Sequence, residues 1–416
     1  MLRNNAALKS SSFAKLAFLE KLLPASLLQR FIINLPFKNI EKGVLVISLA
    51  EKSYRFEGAS LGAHAELIIV HPVRAYWLIK TQGELGFAQA YYEGAIDTSS
   101  LYQLMDLAFE NQTVFEPLLA QGKLSFLKLL EHRKNHNSMV NSRSNISYHY
   151  DLGNDFYSLW LDKTMSYSSG IFAHKDDSLF EAQQQKYGKI LNDLCIGEDS
   201  TVLEIGCGWG GFMEMALEKG AKVTGLTLSE EQKKYAQHRL QQQFLANRFD
   251  IKLQDYRLEQ QQYDFIVSIE MFEAVGKEYW QQYFATLKRC LKPGGKVAIQ
   301  VITISDAVVE TYQNSVDFIQ AYIFPGGLLP SVEQLYLLST ENGFSVEQNF
   351  DFGADYARTC QIWKHDFNNH AEILTEKGYD QAFQRLWNYY LDYCTIGFEK
   401  GHISVNQLVL SRHGDS

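Results

Sequence analysis

The sequence predicts an α/β protein in which a doubly wound, mostly parallel sheet follows a smaller mixed α/β domain. Three observations carry this. From Asp199 onward, short β-like runs alternate with helical stretches. A glycine-rich turn joins the first of those runs to the helix after it. A polar stretch at 131–145 (EHRKNHNSMVNSRSN) separates this texture from a different one upstream, which divides the chain into 1–135 and 136–416.

Taken in order, residues 13–33 read as two short amphipathic helices split at Pro24. Residues 43–48 (GVLVIS) and 66–70 (ELIIV) are strand-like, and 83–97 surround an aromatic-rich patch. The later alternation runs strand Thr201–Ile205, helix Gly211–Lys219, strand Ala221–Leu226 and helix Glu230–Phe244. It continues with strand Tyr263–Ile269, helix Tyr279–Cys290, a turn at Pro293–Gly295 and strand Lys296–Thr303. Strand–helix–strand units of this kind build parallel sheets.

Composition narrows the function classes. The 416 residues suffice for two domains, and a net charge of −9 argues against nucleic acid as a partner. The charge is uneven. Residues 1–45 hold seven Lys/Arg (Arg3, Lys9, Lys15, Lys21, Arg30, Lys38, Lys42) against Glu20 and Glu41, a local +5. A basic amphipathic segment lies on an anionic membrane surface or packs on its own domain, and both readings stay open. Five cysteines without C-x-x-C spacing suggest neither a disulfide framework nor a zinc site, so no metal is expected and a reducing cytoplasm is the natural home. The longest uncharged stretch, Phe318 to Val332, is broken by Pro325, Gly326 and Gly327, so no membrane-spanning helix is expected.

The sharpest local signal is Val202-Leu203-Glu204-Ile205-Gly206-Cys207-Gly208-Trp209-Gly210-Gly211. A strand ends in an acid and turns through closely spaced glycines, which admit a ligand where a side chain would clash. Spacing favours S-adenosylmethionine over a dinucleotide: the pattern is E-x-G-x-G-x-G rather than G-x-G-x-x-G. The second strand runs into Gly225-Leu226-Thr227-Leu228-Ser229, with no acid for a dinucleotide ribose. Asp255, with Tyr256 beside it, closes the next candidate strand and is placed to cap an adenine amine.

Three further segments carry an identity. They are Tyr148-His149-Tyr150-Asp151-Leu152-Gly153-Asn154-Asp155-Phe156-Tyr157 with Met165-Ser166-Tyr167-Ser168-Ser169-Gly170, then Ser268-Ile269-Glu270-Met271-Phe272-Glu273-Ala274-Val275-Gly276, then Tyr322-Ile323-Phe324-Pro325-Gly326-Gly327 with Phe352-Gly353-Ala354-Asp355-Tyr356. From about Asn145 to the C-terminus the chain resembles the cyclopropane fatty acid synthase family, which includes the mycolic acid methyltransferases. The resemblance implies a Rossmann-like class I S-adenosylmethionine methyltransferase domain with a seven-stranded, mostly parallel sheet. It implies one-carbon transfer to the double bond of an unsaturated phospholipid acyl chain through a carbocation, at the inner face of the cell membrane.

By resemblance, Tyr167 and Ser168 receive the methionine carboxylate, and Glu204, Gly206, Gly208 and Gly210 form the loop under the cofactor. Thr227 and Gln232 match positions near the ribose. Glu273 matches the glutamate that holds a bicarbonate ion, and Tyr356 the tyrosine that closes that ion's site. Two departures matter. Ser169 stands where typical members carry Cys, at a position used through its backbone. Gln300, in Ile299-Gln300-Val301-Ile302, stands where they carry the histidine that contacts bicarbonate, and Ala274 replaces another His. An amide still hydrogen-bonds an anion but carries no proton. The expected product is therefore a cyclopropane or, with the cation redirected, a methylene or methyl branch. A small-molecule methyltransferase and a non-catalytic lipid-binding protein are the remaining classes, and a homodimer is left open.

Overall fold

The computed structural model describes residues 36–119, 152–244 and 246–412. The amphipathic segment 13–33, the polar stretch 131–145 and Tyr148–Tyr150 lie outside the described residues. The chain forms two compact units, Met1–Leu130 with Glu372–Ile396, and Glu131–Ala371 with Gly397–Ser416. The smaller unit thus takes in a late segment that the sequence-based division gave to the larger domain.

In the smaller unit, β1 (Lys42–Leu49), β2 (Lys52–Glu57), β3 (Ser60–Ile69) and β4 (Ile96–Asp97) form a sheet in the order β2-β1-β3-β4. The strand-like runs at 43–48 and 66–70 fall in or across the ends of β1 and β3. Leu45, Ile47 and Leu49 alternate inward along β1 with a period of two. Against them lie Leu104 and Leu107 of the helix Leu101–Glu110, capped by Ser100, whose side chain accepts from the Gln103 N–H. The late segment joins this unit through Arg385, which donates to the carbonyls of Tyr91 and Ile96 and pairs with Asp97 at 3.0 Å.

The larger unit is built on seven strands: β5 (Thr201–Ile205), β6 (Lys222–Thr227), β7 (Phe249–Leu253), β8 (Tyr263–Ile269), β9 (Leu291–Ile304), β10 (Phe344–Asp351) and β11 (Ile403–Arg412). Their order is β10-β11-β9-β8-β5-β6-β7, and β11 alone runs against its neighbours. The predicted seven-stranded, mostly parallel sheet is present. The expected turn at Pro293–Gly295 lies inside the long strand β9, where the β8–β9 register shifts.

β5 lies inside this sheet, between β8 and β6, and its side chains are buried on both faces. Leu203 and Ile205 pack with Tyr283, Phe284 and Leu287 of the helix Trp280–Cys290. Val202 packs with Ile190 of the helix Leu179–Asp193 and Phe212 of the helix Gly211–Glu218. A strand buried on both faces is the mark of a doubly wound sheet, and it brings the ends of β5, β6 and β8 to one edge, where such folds bind ligands. Among the described residues, no helix is long and apolar enough to cross a membrane.

Candidate active site

The turn after β5 is shaped by backbone geometry. Gly206 and Gly208 have φ of +84° and +51°, a region that side chains disfavour. A Cβ on Gly206 would meet Met271 at 3.0 Å, whereas one on Gly208 would meet nothing within 4 Å. The loop is thus tight on one side and open on the other. Gly210 has φ of +83° and leads into the helix Gly211–Glu218. Glu204 is buried in β5, its Oε2 has no hydrogen-bond partner, and burial pushes its carboxyl up to about 8 against the pull of Lys186. A buried orphan acceptor beside an open glycine cradle fits a cationic ligand group.

At the end of β6, Thr227 Oγ1 donates to Gln232 Oε1 at 2.8 Å. Ser229 accepts from the Gln232 N–H and starts the helix Glu230–Gln241. Asp255 and Tyr256 lie just past β7. The Asp255 carboxylate is gripped by the Arg257 guanidinium at 2.8 and 2.6 Å, and the Tyr256 ring packs on Tyr283. Asp255 is therefore a held acceptor rather than a free one.

The densest polar cluster centres on Glu270, the residue after β8, at φ +48°. Its Oε1 accepts from the Ser169 N–H at 3.0 Å and from Gln300 Nε2 at 2.7 Å. Its Oε2 accepts from the Tyr356 hydroxyl at 2.5 Å. Gln300 is held in turn by Gln407, whose Nε2 donates to Gln300 Oε1 at 2.9 Å. Ser169, Gln300 and Tyr356 are buried, while Glu270 keeps partial exposure. Burial raises the Glu270 carboxyl above its ordinary range, and the Tyr356 hydroxyl and the Lys186 ammonium oppose that rise.

Lys186 is fully buried on the helix Leu179–Asp193, and its Nζ donates to Ser168 Oγ at 2.6 Å. Gln183, on the same helix, donates to the Ser168 carbonyl at 2.8 Å, so Ser168 is fixed from both ends. Burial lowers Lys186 to about 8, against the carboxylates of Glu270, Asp162 and Glu204. Aromatic rings wall this region. Tyr167 packs on Trp160 and Trp363, each at 5.3 Å, and on Phe324 at 6.2 Å, while Tyr356 stacks on Phe398 at 4.3 Å.

Residues 137–408 match the family described as mycolic acid cyclopropane synthetase. The chain belongs to this family. It is 33% identical over 370 residues to tuberculostearic acid methyltransferase UfaA1 of Mycobacterium tuberculosis (strain ATCC 25618 / H37Rv), covering 86% of this chain and 87% of that protein. It is 40% identical over 266 residues to the cyclopropane-fatty-acyl-phospholipid synthase of Escherichia coli (strain K12), covering 64% and 66%. Among solved structures, mycolic acid cyclopropane synthase CmaA1 complexed with SAH and CTAB aligns with a TM-score of 0.61 at 30% identity, over 65% of this chain and 98% of that one. The larger unit is a class I methyltransferase fold, and this cyclopropane synthase relative is an S-adenosylmethionine-dependent methyltransferase.

The cyclopropane synthase motifs come together only in part as the sequence suggested. Ser169 through its backbone N–H, Gln300 and Tyr356 converge, but on Glu270. Glu273 instead turns its Oε1 to the Ile302 N–H at 2.5 Å and leaves Oε2 without a partner. Sequence reasoning passed over Glu270, Lys186, Trp160, Trp363 and Phe398. Glu270 stood in a quoted motif, three residues before the glutamate chosen. Lys186 follows three glutamines, a polar run that resembles a solvated helix face.

Proposed function

We propose that this chain transfers a one-carbon unit from S-adenosylmethionine to the cis double bond of an unsaturated phospholipid acyl chain and closes a cyclopropane. The observation that carries the reading is the carboxylate-centred cluster of Ser169, Gln300, Tyr356 and Glu270, walled by aromatic rings. An isolated alkene is a weak nucleophile, so reaction depends on close, aligned placement and exclusion of water. Aromatic faces stabilise a developing cation, and a buried acceptor of protons ends its life.

When bound, S-adenosylmethionine supplies an electrophilic methyl group on a sulfonium. Glu204 and the glycine loop would hold it, with Tyr167 and Ser168 at the carboxylate, and Thr227 and Gln232 near the ribose. Asp255 and Tyr256 would lie at the adenine. The substrate reaches the site from the membrane surface, with the protein peripheral to the inner face of the cell membrane. The bicarbonate implied by the resemblance would need the donors that here surround Glu270.

A methylene- or methyl-branched product is the second reading, favoured by the tuberculostearic acid methyltransferase relative that matches 86% of the chain. Mass spectrometry of fatty acids from cells expressing the protein and fed methyl-labelled methionine separates the two. A labelled acyl chain heavier by one CH2 supports the proposal, and retention against reference ring and branched standards names the product. Absence of label from every acyl chain would overturn it.

A further inference from the structure

We propose that Glu270 is the proton acceptor of the reaction, its carboxylate taking the place of a free bicarbonate ion. This rests on the methyl transfer proposed above. Three donors on separate elements aim at this one side chain: a backbone N–H at Ser169, an amide on β9 at Gln300, and a hydroxyl on the helix Gly353–Asn369 at Tyr356. A cluster of donors of this kind is a preformed anion site, and here the anion is covalently part of the chain.

The backbone points the same way. Glu270 sits at φ +48°, a conformation that costs a non-glycine residue about 1–2 kcal/mol. Strain of that size persists where the surroundings hold it, and the three hydrogen bonds do so. The residue is only partly buried overall, and the burial of its carboxyl raises its basicity. The Tyr356 hydroxyl and then the Lys186 ammonium oppose that rise.

The proton step balances without a co-reactant. Once the methyl carbon has bonded to one alkene carbon and its bond to sulfur has broken, the neighbouring chain carbon is positive. A C–H bond of the added carbon then breaks, its electron pair closes the third C–C bond of the ring, and the proton passes to Glu270. A hydride shift from the methylated carbon to the cationic one, followed by loss of a proton from the methyl group, gives the methylene branch with the same acceptor. Glu270 returns the proton to water before the next turnover.

Glu270→Gly is the informative variant, because glycine suits φ +48° and the removed side chain leaves three donors facing a space for a small anion. Turnover of an unsaturated phospholipid is measured in buffer freed of carbon dioxide and again with added bicarbonate, and SAH binding is followed by calorimetry. Wild type is expected to keep its rate in both buffers. E270G is expected to bind SAH normally, to lose on the order of 100-fold or more in rate, and to regain part of it with bicarbonate. Wild type slowing without bicarbonate, or E270G working fully without it, overturns the proposal. Should E270G not fold, the near-isosteric E270Q decides: a loss that bicarbonate does not rescue supports the assignment, and retained activity overturns it. Wild type that binds SAH yet converts no unsaturated lipid defeats the methyl-transfer reading itself, and this inference with it.

Discussion

Replacing Glu273 by Gln should give a protein that gains stability relative to wild type as pH rises. Glu273 Oε1 accepts from the Ile302 N–H, its Oε2 has no partner, and burial followed by the nearby Glu270 carboxylate pushes its carboxyl up to about 8. The ordinary value is 4.5. Between those two values the folded chain holds a proton at this site that the unfolded chain has released. Stability then falls with rising pH, by at most ~1.4 kcal/mol per unit. From about pH 5.5 to about pH 7.5 this site alone removes roughly 2–3 kcal/mol. The variant keeps an acceptor for Ile302 and carries no titrating proton. Whatever its new amide costs is the same at every pH, so that cost cancels from the comparison. Urea unfolding of both proteins, followed by tryptophan fluorescence across this window, reads the difference directly. The variant-minus-wild-type stability should grow by that amount in favour of E273Q. A difference that stays flat with pH would refute a buried, proton-holding Glu273.

Two more outcomes are expected. Glu204→Gln should weaken SAH binding by roughly 10- to 100-fold, the worth of one charge-assisted hydrogen bond, as read by calorimetry, while leaving the fold intact; undiminished affinity would remove Glu204 from the cofactor site. Lys186→Met should move the acidic limb of the pH–kcat profile to higher pH, because the ammonium that opposes the rise of the Glu270 carboxyl is gone; an unmoved limb would leave Lys186 a packing role only.

Much of the fold was legible because its signals are local. Thr201–Ile205 and Tyr263–Ile269 are strands over the predicted ranges, and the glycines after β5 mark the turn they make. What stayed hidden is set by distant pairing. β11 inserts between β9 and β10, matching Gln407 to Gln300 across more than a hundred residues, and no periodicity reports that. Arg385 reads as one more charge on an amphipathic helix until its guanidinium is seen on Tyr91, Ile96 and Asp97. The cofactor loop was readable for the same reason as the strands. The centre of the polar cluster was not: Glu270 and Glu273 are both acids in one short motif, and only backbone direction decides which one faces Ser169, Gln300 and Tyr356.

That choice explains the residue which looked most out of place. Gln300 stands where typical relatives carry histidine, and taken alone it seemed to weaken an anion site. Beside a resident carboxylate the amide is the better partner. A histidine there could become an imidazolium against Glu270, and a full positive charge at hydrogen-bond distance would lower the acid's basicity. The amide donates to Glu270 through Nε2, accepts from Gln407 through Oε1, and stays neutral at every working pH. Glutamine at 300 and glutamate at 270 are thus one arrangement. It predicts that Gln300→His, made alone, lowers the rate and shifts the acidic limb of the pH–kcat profile toward lower pH. In the E270G background the same histidine should improve rescue by bicarbonate. If Q300H instead raised activity in the presence of Glu270, the two positions would be independent and the carboxylate would not be the group that Gln300 serves.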